Sequence, residues 1–201
     1  MLKIILIRHG KTYGNTKGRY IGSRTDEPLC REGRESLQKR KYPKAELVYV
    51  SPMKRCMETA QCIYPGISME SNAFLKECDF GLFENKSYEE LSDCPEYQAW
   101  IDSNGTLPFP KGESQESLKK RCSRGFAQCV EQALQRGIQQ AAMVVHGGTI
   151  MSILCAFASP KGAYFQWQIG NGEYYELTIE EEVWKKEQAV SLVKKGTFGN
   201  D

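Results

Sequence analysis

The chain has 201 residues, 40% of them hydrophobic and 26% charged, with a formal net charge of +2. That length carries one domain with a proper core, and the composition is that of a globular protein, not a disordered or fibrous one. A charge so near zero gives no footprint for nucleic acid or an anionic membrane, no stretch is long enough for a membrane helix, and the N-terminus lacks the features of a secretory signal, so a cytoplasmic setting is expected.

Residues 2–7 are a short apolar run rich in β-branched side chains, ending at Arg8-His9-Gly10. Such a run predicts a strand buried on both faces, in the middle of a parallel sheet. Residues that follow such a strand emerge at its carboxyl end, where open α/β sheets bind ligands. Arg8 there offers a planar fork of donors suited to phosphate or carboxylate. His9 can serve as nucleophile, base or ligand. Gly10 permits a sharp turn and close approach of backbone N–H groups to a ligand.

Residues 11–30, carrying Asn15, Arg19, Gly22, Arg24 and Asp26, read as a loop long enough to be functional. A helix is predicted over residues 31–40 and a second buried strand over 45–50, ending at Ser51-Pro52. The next helix, residues 53–63, holds Arg55 near its start. Pro65 and Gly66 break the chain, and residues 67–76 read as a short strand or extended segment. Residues 77–113 interrupt the β-α rhythm, with short helices expected at 88–91 and 96–103, and read as a cap over the site.

Ser114 is the expected N-cap of the longest helix, which runs to about residue 136. Leu118, Cys122, Phe126, Cys129, Val130, Ala133 and Leu134 define its core face, and Gly137 is its stop. Residues 141–145 form the third strong strand, ending at His146-Gly147-Gly148, with Thr149 expected to cap the following helix. Residues 173–179 and a run from Val183 read as closing strands, the second with a helical alternative. The whole predicts an α/β fold: one domain over residues 1–201, a three-layer α/β/α sandwich with a mostly parallel sheet and a cap at about 77–113.

Eight cysteines contain no C-x-x-C pair, and several occupy apolar helix positions. They read as reduced core thiols. The chain has only two histidines. Both follow a predicted central strand and both precede a glycine. Three strand ends therefore converge Arg8, His9, Arg55 and His146 into a cationic pocket suited to a tetrahedral dianion. The plainer readings are hydrogen-bonded core histidines or a metal site. Asp79 and Glu84 could add ligands to two histidines, but no metal spacing is present, so neither metal nor cofactor is expected.

Arg8-His9-Gly10 continues through Asn15, Arg19 and Gly22, Ser51-Pro52-Met53-Lys54-Arg55 with Thr59-Ala60, and Leu75-Lys76-Glu77 with Phe80-Gly81 and Glu84. Gly112-Glu113-Ser114 and Val145-His146-Gly147-Gly148 complete the set. In this order, over nearly the whole chain, it resembles the histidine phosphatase superfamily, which includes the cofactor-dependent phosphoglycerate mutases. The resemblance implies that His9 attacks phosphorus and forms a phosphohistidine. Arg8, Arg55 and His146 would hold the equatorial oxygens. Glu77 would move the proton, with Glu84 and Asp79 as alternatives. Asn15 would contact the phosphoryl group, with Arg19, Gly22 and Gly147 as further substrate-binding positions.

Lys11, Cys30 and Asn85 depart from the family pattern without removing a catalytic group. The chain is shorter than a typical mutase, which favours hydrolysis of a small-molecule phosphate ester. The alternatives are a phosphoglycerate-type mutase, an α-ribazole-phosphate phosphatase, and a silent phosphate-ester-binding module. Neither the substrate nor the oligomeric state follows from the sequence.

Overall fold

The apolar run at the N-terminus forms β1 (Leu2–Arg8), and the alternation of its side chains sets the layers of the molecule. The structure, a computed structural model, describes residues 1–196. After β1 come α1 (Tyr13–Thr16), α2 (Arg31–Gln38), β2 (Leu47–Val50), α3 (Lys54–Ile63), β3 (Met69–Ser71), α4 (Pro95–Asp102) and α5 (Gln115–Gln135). The chain continues through β4 (Gln140–Val145), α6 (Gly147–Phe157), β5 (Tyr174–Ile179), α7 (Glu181–Glu187) and β6 (Leu192–Lys195). Leu2, Ile4 and Leu6 pack into a cluster with Phe126 of α5, Ile153 of α6 and Trp184 of α7. Ile5 and Ile7 pack on the opposite side with Cys56 and Ala60 of α3. Period-two alternation along a central strand thus serves two helical layers.

The sheet runs β3-β2-β4-β1-β5-β6. β3, β2, β4 and β1 are mutually parallel, while β5 and β6 are antiparallel to their neighbours. Register at the carboxyl ends is what positions the site. Arg8 stands opposite Val145 across β1 and β4, and His9 N–H donates to the Val145 carbonyl at 2.9 Å. The next residues, His9 and His146, are therefore neighbours by pairing alone. On the other side of β4, Val50 stands opposite Val144, which brings Ser51 to the same level.

Most elements lie within two residues of their predicted bounds, and the differences have local causes. The loop after β1 contains α1, closed by a reciprocal capping box between Thr12 and Asn15. α6 starts at Gly147 with His146 as its N-cap residue, not at Thr149. The Thr149 hydroxyl lies 3.4 Å from the Leu75 carbonyl and 3.3 Å from that of Lys76, so it ties α6 to the segment before Glu77. Residues 88–91 form turns, not a helix, with the Ser87 and Glu90 side chains bonding each other's backbone N–H. The run from Val183 lies in α7, where Glu181 and Lys185 pair at 2.6 Å, and the closing strand is β6. Ser114 caps α5 through Ser117 N–H, and Gly137, at φ +69°, follows its end. Within residues 77–113, Gly81 adopts φ +55°, and a Cβ there would lie 2.1 Å from the Pro110 carbonyl oxygen, so only glycine lets these two strands of loop touch. All eight cysteines are free. Among the described residues no helix is long and apolar enough to cross a membrane.

Thr59 of α3 couples the end of β1 to that helix: its hydroxyl accepts from Gly10 N–H at 3.0 Å and donates to the Arg55 carbonyl at 2.6 Å. Thr59→Val keeps the shape but leaves Gly10 N–H buried and unpaired, so urea unfolding is expected to show a loss of about 1–3 kcal/mol. Thr59→Ser, which retains the hydroxyl, is expected to lose clearly less, and equal losses in the two variants would assign the effect to packing.

Candidate active site

The two imidazoles meet edge to face, with ring centroids 5.2 Å apart and planes inclined at 66°. His9 Nδ1 lies 2.7 Å from the Gly10 carbonyl oxygen. A carbonyl can only accept, so Nδ1 carries the proton and Nε2 carries the lone pair. The ring is buried, and that burial, with the charges of Arg55 and then Arg8, holds its pKa well below 6.5, the Gly10 contact acting weakly the other way. His9 is thus a neutral imidazole with one free, basic nitrogen.

His146 is fully buried, and both of its nitrogens are engaged. The Arg55 guanidinium donates from Nε to Nδ1 at 3.2 Å, which leaves the proton on Nε2, 2.7 Å from the Ser51 hydroxyl. Burial first, then Arg55 and the neighbouring His9 and Arg8, depress its pKa well below the ordinary value as well. Arg55, also fully buried, donates as well to the carbonyls of Thr25 at 2.9 Å and Gly22 at 3.1 Å. Arg8 donates from Nη1 to the Ile169 carbonyl at 2.6 Å, whereas its Nε is buried with no partner. An unpaired buried donor is costly unless something fills it.

Glu77 comes from the irregular segment after β3. Its carboxylate accepts from Cys78 N–H at 2.9 Å and from Gly148 N–H, in the first turn of α6, at 3.1 Å. Burial pushes its pKa up, against the two N–H bonds and the charges of Arg55 and Arg8. The two other acids considered from the sequence are occupied elsewhere. Glu84 accepts from Gly22 N–H at 2.9 Å and Phe80 N–H at 3.3 Å. Asp79 pairs with Arg24 at 2.7 Å and accepts from Gly81 N–H at 2.9 Å.

A cavity of about 270 Å³ opens on this group, and its lining includes Arg8, His9, Asn15, Arg19, Glu77 and Gly147. Glu84 and Asp79 are not part of the lining. Arg55 and His146 are fully buried and do not line it. Gly22 does not line it either: its N–H serves Glu84 and its carbonyl serves Arg55. Arg19 borders the cavity but pairs with Glu90 at 2.8 Å. Asn15 Oδ1 accepts from Thr12 N–H and from Asn171 Nδ2, each at 3.2 Å. Asn171, which sequence reasoning passed over, also donates to the His9 carbonyl at 3.1 Å and so braces the turn. Asn171-Gly172 before a strand signals only a turn, and nothing local points back to His9. Among the described residues, no three His, Cys, Asp or Glu side chains gather as a metal site requires.

The sequence profile of the histidine phosphatase superfamily (branch 1) matches residues 4–191. Phosphoserine phosphatase 1 of Hydrogenobacter thermophilus is 29% identical over 192 residues, covering 90% of this chain and 88% of its own. The crystal structure of the α-ribazole phosphatase from Shigella flexneri superposes with a TM-score of 0.79 at 21% identity, covering 99% of this chain and 96% of that one. That of a phosphoglycerate mutase from Thermus thermophilus gives a TM-score of 0.66 at 24% identity, over 100% of both chains. The two solved structures share the fold, and the profile covers β1 through the approach to β6: the chain belongs to the histidine phosphatase superfamily, branch 1.

Proposed function

We propose that the protein is a phosphatase that hydrolyses a small phosphate monoester through a phosphohistidine at His9, without a metal. The observation that carries this reading is the state of His9: neutral, with Nδ1–H held by the Gly10 carbonyl and Nε2 unprotonated, on the wall of a cavity beside Arg8. His9 Nε2 attacks phosphorus, the P–O ester bond breaks, and the leaving oxygen takes a proton from Glu77. Nδ1–H and the Gly10 carbonyl steady the positive phosphorylated ring. A water then attacks phosphorus, giving its proton to Glu77 as the P–N bond breaks. Inorganic phosphate departs and neutral His9 returns.

Charge on the equatorial oxygens is met by Arg8, Arg55 and His146. Arg8 lines the cavity, and its Nε has no protein partner. Arg55 and His146 reach the phosphoryl group by exchanging a protein acceptor for it, such as the Ser51 hydroxyl in the case of His146. Asn15, Arg19 and Gly147 supply the adjoining surface, and residues 77–113 are the cap of a single domain. The bond that Gly148 N–H makes to Glu77, and the occupation of Glu84 and Asp79 elsewhere, support Glu77 as the proton-transfer group. The eight free thiols suit a reducing, cytoplasmic setting. The same phosphoenzyme would serve a mutase if a second hydroxyl, not water, received the group.

Incubation with a phosphate ester in the presence of EDTA is expected to release phosphate and to leave an acid-labile phosphoenzyme. His9→Ala should abolish the phosphoenzyme and lower turnover by roughly 10³-fold or more. Loss of activity with EDTA would refute the metal-free chemistry, and an isomerised ester without phosphate release would establish the mutase. Glu77→Gln is expected to slow an alkyl phosphate by about 10²–10⁴-fold, and p-nitrophenyl phosphate, whose leaving group needs no proton, far less. Because burial raises the Glu77 pKa, its acid form persists to higher pH than an ordinary carboxyl. Phosphoenzyme formation from the alkyl ester should therefore decline as pH rises through that raised value, and Glu77→Gln should remove that limb of the profile.

A further inference from the structure

Beyond its phosphoryl end the cavity changes character. Tyr20, Phe80, Trp100, Phe109, Leu118 and Phe165 all line it. Phe80 and Phe109 meet at 4.9 Å between centroids, Trp100 stacks on Phe109 at 5.0 Å, and Tyr20 meets Phe80 at 5.4 Å. These side chains come from four separate stretches: the loop after α1, residues 77–113, α5, and the segment between α6 and β5. Phe165 is 53% exposed at the edge of this wall, a large ring that the protein itself covers only partly.

The cavity has two basic side chains, Arg8 and Arg19. Arg8 belongs to the phosphoryl end. Arg19 pairs with Glu90 at 2.8 Å, in a bridge open to solvent, and also donates to the Asn85 carbonyl. Arg24, another cation of the same loop, pairs with Asp79. Tyr20 bonds the Tyr97 hydroxyl at 3.1 Å, and burial, followed by that bond, pushes its pKa up, so it stays a neutral phenol. A carboxylate placed among these rings would lose its water and meet at most a guanidinium already shared with Glu90. A flat uncharged ring would exchange water for edge and face contacts with aromatic walls.

Resting on the phosphatase reading above, we infer that the site selects phosphomonoesters whose alcohol carries an uncharged aromatic group and discriminates against esters that carry a second anion. The aromatic wall supplies the attraction, and the pairing of Arg19 with Glu90 withholds the cation that a carboxylated ester needs. Specificity then arises from both a favourable surface and a missing partner charge.

Binding of phosphonates tests this without chemistry. Phenylpropylphosphonate replaces the ester oxygen of phenylethyl phosphate by a methylene, and the corresponding phosphonate isostere of phosphoserine presents the same anion with an ammonium and a carboxylate. Calorimetry is expected to find the aromatic phosphonate at least about tenfold tighter. Phe165→Ala should shrink that gap, and because Phe165 is largely exposed the variant should fold. Trp100→Ala should shrink it further. Equal or reversed affinities overturn the inference, as does a gap that neither variant changes. Turnover of phenylethyl phosphate, measured alongside, reports on the phosphohistidine reading separately: aromatic selectivity in binding with no phosphoenzyme would retain the inference and remove the mechanism.

Discussion

The site depends on burying positive charge where the protein supplies little negative charge to match it. Arg55 is fully buried and bonds neutral carbonyls and an imidazole, and Arg8 keeps a buried donor unpaired. Among the described residues, Glu77 is the one acid in the cavity lining with Arg8 and His9, and burial pulls it towards its neutral form. Such a corner has the charge that an anion would complement. The same field that attracts a dianion keeps both imidazoles unprotonated, because burial and the guanidinium charges each oppose a further proton. The proposed nucleophile and the proposed anion site are therefore two consequences of one arrangement.

Strand pairing makes that arrangement cheap to build. β1 and β4 are parallel neighbours, with Arg8 opposite Val145, so the two histidines need no long-range adjustment to meet. Ser51 arrives by the same logic from β2. What remains is bracing: Thr59 holds Gly10 from α3, Asn171 holds the His9 carbonyl from the turn before β5, and Gly148 N–H holds Glu77 from α6. Each of these bonds comes from a different element, so the geometry is determined from several sides. The aromatic wall is built separately, largely from irregular segments laid over the sheet. Chemistry on rigid strand ends and selectivity on loops is a division that lets one fold serve many substrates.

Glu77, Asp79 and Glu84 illustrate how far sequence reasoning reaches. Three acids within one irregular stretch have no periodicity to separate them. Their hydrogen bonds do: Glu77 takes N–H groups from Cys78 and α6, Glu84 ties down Gly22, and Asp79 answers Arg24. Gly22 shows the converse, a motif residue that stands behind the cavity and carries the Arg55 contact. Thr149 reads as a helix cap because hydroxyl residues favour that position, but its hydroxyl is used by the chain before Glu77. Asn171 is illegible from sequence because its partners, Asn15 and His9, are 156 and 162 residues away.

The amino-acid order by itself determined β1, β2, β4 and β5, the long amphipathic helix, and the delivery of Arg8, His9 and His146 to strand ends and of Arg55 to the start of the helix after β2. Those features rest on short-range periodicity and on the rule that a buried parallel strand presents its ligand-facing residues at its carboxyl end. Only the tertiary structure decided which nitrogen of each histidine carries the proton, which acid borders the cavity, and that Arg19, which borders the aromatic-lined cavity, pairs with Glu90. Those outcomes are set by contacts between segments far apart in the chain, where a hydrogen bond or a buried charge is chosen by three-dimensional proximity that local sequence does not encode.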